Sequence, residues 1–590
     1  MRIFDRLIGL ETEYAIAPPG NPGRADSFDS RLRCYRMLVA ALGRKLPVVE
    51  AQHFKVGVFA ANSSAVWFEA ERFAVDTGLI EGATPECRGP FEAVLYQRAQ
   101  DRLLAASAAE SAVPGGFTLL KNDRDAEGNV YGAQENYEAT IATGWRLAAW
   151  RIGLVALLLP TVLAWLGMFA IVLGTIGVFA LLACVAWMAR WTVGETKYEP
   201  WFVNPRWLAS NDIVSPLPEW LERVMLVLFN VAIAPVLLPM TLLIYGTAFV
   251  PQRRALEAFL VSRVAIAGAG WLDEQDRFQL SDKGPAVNCR IGYGDGWLRH
   301  PMFSFGHLLK SFVGEFPFSP RDFADLFRRR QRLQISIGDS NMAPFAELLR
   351  IATTTLVLDV VEGEMAASTM DMADNGLAGA GLGAAWPQLA RPVDSLHAIC
   401  ADPGLETRVA LRDGRMVTAI ELQGWYCNRC AAWLARQPNV SNRVAWVVRQ
   451  WRETLDLLEH DPASLAGRLD WVAKRRMLDG TRGVLSREAR KKIDLRYHEL
   501  SEDGYHQRLA AAGLVETPCG HTWLNEAALD RAMRTPPPDS PATMRGHFIR
   551  EFADGDETLR VNWKRVTIGA GRDRRVIRLR RYRRAMKLDD

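Results

Sequence analysis

Two glutamates stand one residue apart in RLIGLETEYAI, Glu11 and Glu13, directly after an apolar run. On a β-strand, residues i and i+2 share a face, so both carboxylates project into the same space. Like charges that close need water, an arginine or a cation between them. On these two residues alone a solvated edge strand accounts for the pair better than a metal site. Further acids recur along the chain. The run ERFAVDTGLIEGATPEC carries Arg72, Asp76, Glu81, Thr84 and Glu86; KNDRDAEGNVYGAQENYEA carries Glu135 and Asn136; ISIGDSNM carries Asp339, Ser340 and Asn341 at a strand end. Each acid alone reads as solvated surface. As a set converging on one cavity, they suit hard cations, which take oxygen ligands and bridge nucleotide phosphates. A second, weaker metal pattern is WYCNRC (Cys427, Cys430), which could join Cys519 and His521 in a zinc site.

The elements that must carry these residues read as α+β. Short apolar–polar alternations (RIFDRLIGLE, RFAVD, FTLLKND) mix with a helical stretch at AVLYQRAQDRLLAASAAE. RLQISIGDSNM reads as a strand into a turn and FAELLRIATTTLVLDVVEG as a helix. From about residue 400 the periodicity turns mostly helical, as in RVAWVVRQWRETLDLLEH. At 590 residues the chain exceeds one hydrophobic core. The division expected is a catalytic domain in two parts, 1–145 and 255–400, a transmembrane insert at 146–254, and a C-terminal domain with a basic tail at 401–590. Eight cysteines are too few for a disulfide framework and fit a reducing compartment. The formal charge of +4 singles out no polyanionic partner, and no nucleic acid is expected. The charged first residues do not read as a signal peptide.

Two blocks dominate the hydropathy, 152–189 and 224–250, both without a charged residue and each long enough to span a bilayer. Arg146 and Arg151 precede the insert and Arg253 and Arg254 follow it, which puts both junctions on the cytoplasmic side and makes the number of crossings even. Either each block doubles back, the first turning at Gly174 and Gly177, or each crosses once with 191–222 outside. The basic linker (Arg190, Lys197, Arg206, Arg223) favours the first. Pro235 and Pro239 are expected to kink the second block. Uncharged spans argue for an anchor in the inner (cytoplasmic) membrane, multi-pass, with the catalytic domain cytoplasmic, rather than for a transporter. The tail GRDRRVIRLRRYRRAMKLDD reads as solvated or disordered, a basic strip that could lie against anionic membrane lipid.

Taken in order, the motifs resemble the family of the ligase and the deamidase/depupylase of the prokaryotic ubiquitin-like protein Pup. GLETEY resembles that family's opening metal strand, and RFAVDTGLIEGATPEC matches its catalytic segment without a gap. KNDRDAEGNVYGAQENY, LQISIGDSNM and LDWVAKRRMLDG follow. The resemblance spans nearly the whole chain except 146–253. It implies a glutamine synthetase-like antiparallel sheet cradle with helices, ATP and Mg2+ as cofactors, and a Pup-like modifier or its conjugates as partner. Position by position, it implies Glu11, Glu13 and Glu81 at the metal, Arg72 and Thr84 at ATP, Trp471 beside the base, and Asp76 as the catalytic carboxylate. RPVDSLHAICADPGLETRVALRDGR and IAPPGNPG lie nearer the depupylase, which hydrolyses the amide or isopeptide bond that the ligase forms. Three positions depart from the pattern. Ala74 replaces a metal-contacting tyrosine, Gln134 replaces a histidine ligand, and no counterpart of an arginine-bearing loop stands between Tyr293 and Arg330. The ligase direction and a weakly active nucleotide-binding scaffold therefore remain alternatives.

Overall fold

The computed structural model describes residues 2–17, 28–52, 55–70, 78–111, 116–124, 130–193, 219–293, 300–314, 320–374, 385–518 and 523–579. Arg72, Ala74, Asp76, Cys519 and His521 lie outside them.

The first strand, β1 (Leu7–Ala17), obeys the alternation its sequence dictates. Ile8, Leu10, Thr12, Tyr14 and Ile16 are buried, and the residues between them, Glu11 and Glu13 included, line the other face. Around it assembles a sheet of eleven strands. On one side follow β5 (Gly78–Ala83), β4 (Ala65–Ala70), β3 (Gly57–Ala60) and β2 (Val48–Glu50). On the other follow β8 (Gln134–Thr140), β13 (Arg330–Ile335), β12 (Pro301–Ser304) and β11 (Cys289–Gly292), while β6 (Cys87–Arg88) and β7 (Thr118–Leu120) pair with β1 directly. A separate two-stranded sheet holds β9 (Trp271–Leu272) and β10 (Phe278–Gln279). The expected antiparallel cradle is thus mixed, because β11 runs parallel to β12. Strands from 1–145 and from 255–400 enter the same sheet.

The hidden face carries the main core. Ile8, Leu10, Tyr137, Leu333 and Ile335 pack with two helices, Val250–Ala267 and Pro344–Asp374. In chain order the helices before and including the first of these are α1 (Phe28–Lys45), α2 (Pro90–Ala109), α3 (Gly144–Ala156), α4 (Leu158–Val193), α5 (Glu219–Gly246) and α6 (Val250–Ala267). The α6 helix is buried along almost its whole length, and the helix Ala419–Leu434 packs on it. Cys427 and Cys430 sit one turn apart on that helix inside the core. Burial pushes the Cys427 thiol up to about 11 and Cys430 well above its ordinary value, and the expected partners Cys519 and His521 lie outside the described residues.

The insert departs from the expected double-back. Its first block begins in the last residues of α3 and, past Leu157, continues as α4, which runs unbroken through Gly174 and Gly177, and α5 likewise runs through Pro235 and Pro239. The two lie antiparallel. A Cβ on Gly167 would meet Ala232 and Thr175 reaches Met225, while on α3 a Cβ at Gly153 would meet Leu243 of α5. Both helices are long and apolar enough to cross a membrane. Leu159, Leu163, Leu166, Phe169, Leu173 and Leu181 on α4 are each more than half exposed. The hairpin leaves the sheet at one point, where Phe249 N donates to Ile141 O (2.6 Å). Its foot is clasped by the indole donors of Trp150 to Leu326 O (2.9 Å) and Trp165 to Phe312 O (3.1 Å). In the basic tail Arg575–Arg578 pairs with Arg565–Ile568, and that strand with Leu559–Val561; 580–590 lie outside the described residues.

Candidate active site

Alternation and register decide which side chains meet. Glu13 on β1 stands directly opposite Glu81 on β5, and Glu81 opposite Trp67 on β4, two residues before Glu69. On the other flank Glu11 stands opposite Gln134 on β8, with Asn136 two residues along and opposite Gln334 on β13. One sheet face therefore gathers Glu69, Glu81, Glu13 and Glu11 in a row, edged by Gln134, Asn136, Gln334 and Arg332.

The hydrogen bonds divide this row. Glu11 accepts from Arg332 Nη2 (2.9 Å) and Asn136 Nδ2 (3.2 Å). Glu13 accepts from the Gly132 backbone N–H (2.8 Å). Lys55 Nζ donates to Glu81 Oε2 (2.7 Å) and also pairs with Glu69. Gln334 Nε2 donates to Gln134 Oε1. Burial first, and then the Glu81 charge across the ladder, pushes Glu13 up to about 8. Burial likewise raises Glu69 to about 7. Glu81 is also penalised by burial, but Lys55 holds it below its ordinary value. At neutral pH Glu13 therefore keeps its proton opposite the Lys55-bound Glu81 carboxylate, and ionising it sets two like charges against each other.

Among the described residues, no three His, Cys, Asp or Glu side chains form a ready cation cage. Arg332 and Lys55 take up the carboxylates instead. The donor chemistry nonetheless fits Mg2+: the row is all carboxylate oxygen, and the Lys55 ammonium occupies the place of a compensating cation between Glu69 and Glu81. Glu11, Glu13 and Glu81 are the residues that could hold the ion. Glu69 escaped the sequence reading, although the same i+2 spacing from Trp67 in AVWFEA marks it.

The remaining site residues divide between this face and the core. Thr84 is buried at the end of β5. Its Oγ1 accepts from Leu10 N (2.9 Å), which leaves the hydroxyl proton free to donate. Trp471 is buried on the helix Asp470–Asp479, its indole donating to Ala265 O (2.9 Å). Among the described residues, no hydrogen bond or ring stacking ties it to the carboxylate row. Three acids read as candidate cation ligands do structural work instead. Glu135 faces the core, bound by Arg263 (2.7 Å), Arg350 (3.3 Å) and Tyr137 (2.6 Å). Burial penalises its charge, but Arg263 and Arg350 hold the carboxyl below its ordinary value. Asp339 accepts from Ala269 N (2.7 Å), Ser281 Oγ (2.8 Å) and the Asp282 and Lys283 amides. Glu86 forks onto Arg545. Arg72 and Asp76 fall in 71–77, outside the described residues.

A large sheet backed by helices is the architecture this chain shares with solved Pup ligases. A Pup ligase in complex with Pup superposes with a TM-score of 0.62 at 18% identity, over 98% of this chain and 89% of that one. A Pup ligase in complex with ADP gives 0.55 at 18% identity, over 97% of each chain. Residues 6–567 match the family described as Pup-ligase protein, and the chain belongs to it. Among curated relatives, the Pup deamidase/depupylase of Mycobacterium tuberculosis is 27% identical over 609 residues, covering 97% of this chain and 92% of that protein. The Pup–protein ligase of Acidimicrobium ferrooxidans is 24% identical over 593 residues, covering 98% and 95%.

Proposed function

We propose that the protein is a membrane-anchored, ATP- and Mg2+-dependent depupylase-like amidohydrolase, acting on a C-terminal Gln amide or Glu isopeptide bond of a Pup-like modifier. The observation that carries this reading is the meeting of Glu11, Glu13 and Glu81 on one sheet face in a chain of the Pup-ligase family. In this reading Glu11, Glu13 and Glu81 hold Mg2+, Arg72 and Thr84 orient ATP, and Trp471 borders the base. When bound, Mg–ATP would supply charge neutralisation for the reaction. Asp76 would act either as the base that takes a proton from the water attacking the amide carbon, or as the nucleophile whose acyl anhydride water then opens; in both routes the C–N bond breaks as the amine takes up a proton that came from water, and the carboxyl keeps the water's hydroxyl.

The membrane part rests on the antiparallel α4–α5 hairpin, whose apolar side chains stay exposed and whose two ends meet at Ile141 and Phe249. One crossing out and one back leaves residues 1–145 and 255–590 on the same side, as one catalytic unit on the cytoplasmic face of the inner membrane. The ligase direction is the second reading, favoured by a relative named Pup–protein ligase that is matched along its length. A scaffold with little turnover follows if Gln134 and Ala74 leave the cation too weakly held.

One assay separates the three. Detergent-solubilised protein with Mg–ATP is given a Pup–lysine conjugate, or free Pup ending in Glu with an acceptor lysine. Release of Pup from the conjugate supports the hydrolase, and new conjugate overturns it in favour of the ligase. Neither product, with nucleotide binding intact, leaves the scaffold.

A further inference from the structure

Between the last turn of α5 and the first turn of α6 lies a cavity of about 190 Å3 whose walls carry Arg253, Arg254, Arg290 and Arg412, with Tyr245 at its rim. Among the described residues, the one ion pair these arginines make is Arg290 with Glu257. Arg253 is buried. It spends its guanidinium on carbonyls at and just past the end of α5, Nη2 donating to Ile244 O (2.7 Å) and Nε to Ala248 O (3.0 Å). Burial, and then the charge of Arg290, hold Arg253 down to about 10. The cavity thus keeps four cations against one carboxylate in a half-enclosed space, an arrangement that an anion stabilises. Above the rim, Leu238, Leu242 and Tyr245 occupy positions i, i+4 and i+7 of α5. Their exposures of 67%, 67% and 46% make an apolar stripe that runs down the hairpin into the arginines.

We propose that this cavity is a phosphate site, filled by the headgroup of an anionic phospholipid whose acyl chains lie along Leu238 and Leu242. The proposal rests on the reading of α4 and α5 as membrane spans. Guanidinium forks match phosphate oxygens in pairs. A tyrosine at the rim suits the headgroup level, and basic pockets beside spanning helices on the cytoplasmic side bind acidic lipid heads. The site is distinct from the carboxylate row and leaves that chemistry untouched. It would fix the depth and tilt of the hairpin where the chain enters the sheet.

The test uses the full chain in detergent and the double variant R254Q/R412Q, whose two side chains are exposed at the cavity mouth. Native mass spectrometry with phosphatidylglycerol is expected to show one lipid retained per wild-type chain. Phosphatidylcholine should not be retained, and the bound fraction should fall about tenfold or more in the variant. R254Q alone repeats the comparison with no packing lost, should the double variant fold poorly. Flotation on pure phosphatidylcholine vesicles reads the membrane assignment separately, and both chains should float. Flotation with equal phosphatidylglycerol retention by wild type and variant overturns the site while the membrane reading stands. Failure to float overturns the membrane reading and the lipid with it. Inorganic phosphate raising the Tm of wild type alone then assigns the cavity to free phosphate, and no shift overturns the phosphate site altogether.

Discussion

Replacing Glu13 by glutamine should make the protein more stable and less capable at once. Glu13 lies across the ladder from Glu81 and is pushed from 4.5 up to about 8 by burial and by that facing charge. A carboxyl raised in the folded state binds its proton more tightly there than in the unfolded chain. Stability is therefore full below pH 4.5 and falls as pH climbs toward about 8. At 1.36 kcal/mol per pH unit, the loss by pH 7 is at most about 3 kcal/mol. Glutamine keeps an oxygen for the Gly132 N–H and removes the titration. With about 2.1 cal/mol/K of unfolding entropy per residue, a chain of 590 residues gains about 2–3 °C in Tm. Differential scanning fluorimetry of the ligand-free protein should show that gain at pH 7–8 and none at pH 4.5. Titration calorimetry at pH 7.5 should show the variant losing the Mg2+-dependent part of ATP binding. An unchanged or lower Tm at pH 8, or an equal gain at pH 4.5, refutes the opposed-charge argument. Wild-type Mg2+ dependence refutes Glu13 as a ligand.

Glu135→Gln should do the reverse. Removing one partner of the buried Glu135–Arg263–Arg350 network costs about 3–5 kcal/mol, read as a fall in Tm, while the folded protein keeps its Mg2+-dependent ATP binding. Gly132→Ala should weaken Mg–ATP binding without touching a ligand. Gly132 holds φ at +115°, and a Cβ there would fall 1.8 Å from Asp123 Oδ1, so the chain must pull its N–H away from Glu13. For the hairpin, cysteines introduced at Trp145 and Arg391 should label from one side of sealed vesicles and one at Asn204 from the other. Labelling of all three from the same side refutes a single crossing per helix.

Much of the site is legible in the sequence because a strand has a period of two. GLETEY follows an apolar run, and alternation alone puts Glu11 and Glu13 on one face with Ile8, Leu10 and Tyr14 on the other. The same rule, applied to AQENY, separates Gln134 and Asn136 from Glu135. Reading Glu135 as a candidate cation ligand overlooked that it points to the core, where Arg263 and Arg350 wait from helices more than a hundred residues downstream. Nothing local announces those partners. Lys55, which bridges Glu69 and Glu81, is hidden for the same reason: only strand pairing brings β5 against β4 beneath it. In the insert, Gly174 and Gly177 read as a turn, but an isolated glycine costs a helix only about 1 kcal/mol. Breaking a helix among apolar side chains strands backbone donors and acceptors at several kcal/mol each, so the helix continues.

The central claim is that Asp76 does the chemistry of a Pup-processing hydrolase. Asp76→Asn preserves size and hydrogen bonding but removes the charge needed for a base or nucleophile. Single-turnover release of Pup from a lysine conjugate, measured for wild type and Asp76→Asn with Mg–ATP saturating in both, tests it most directly. The account predicts measurable release by wild type and a fall of about a hundredfold or more in the variant, with nucleotide affinity preserved. Equal rates would contradict it, and so would a wild type that binds nucleotide and releases nothing.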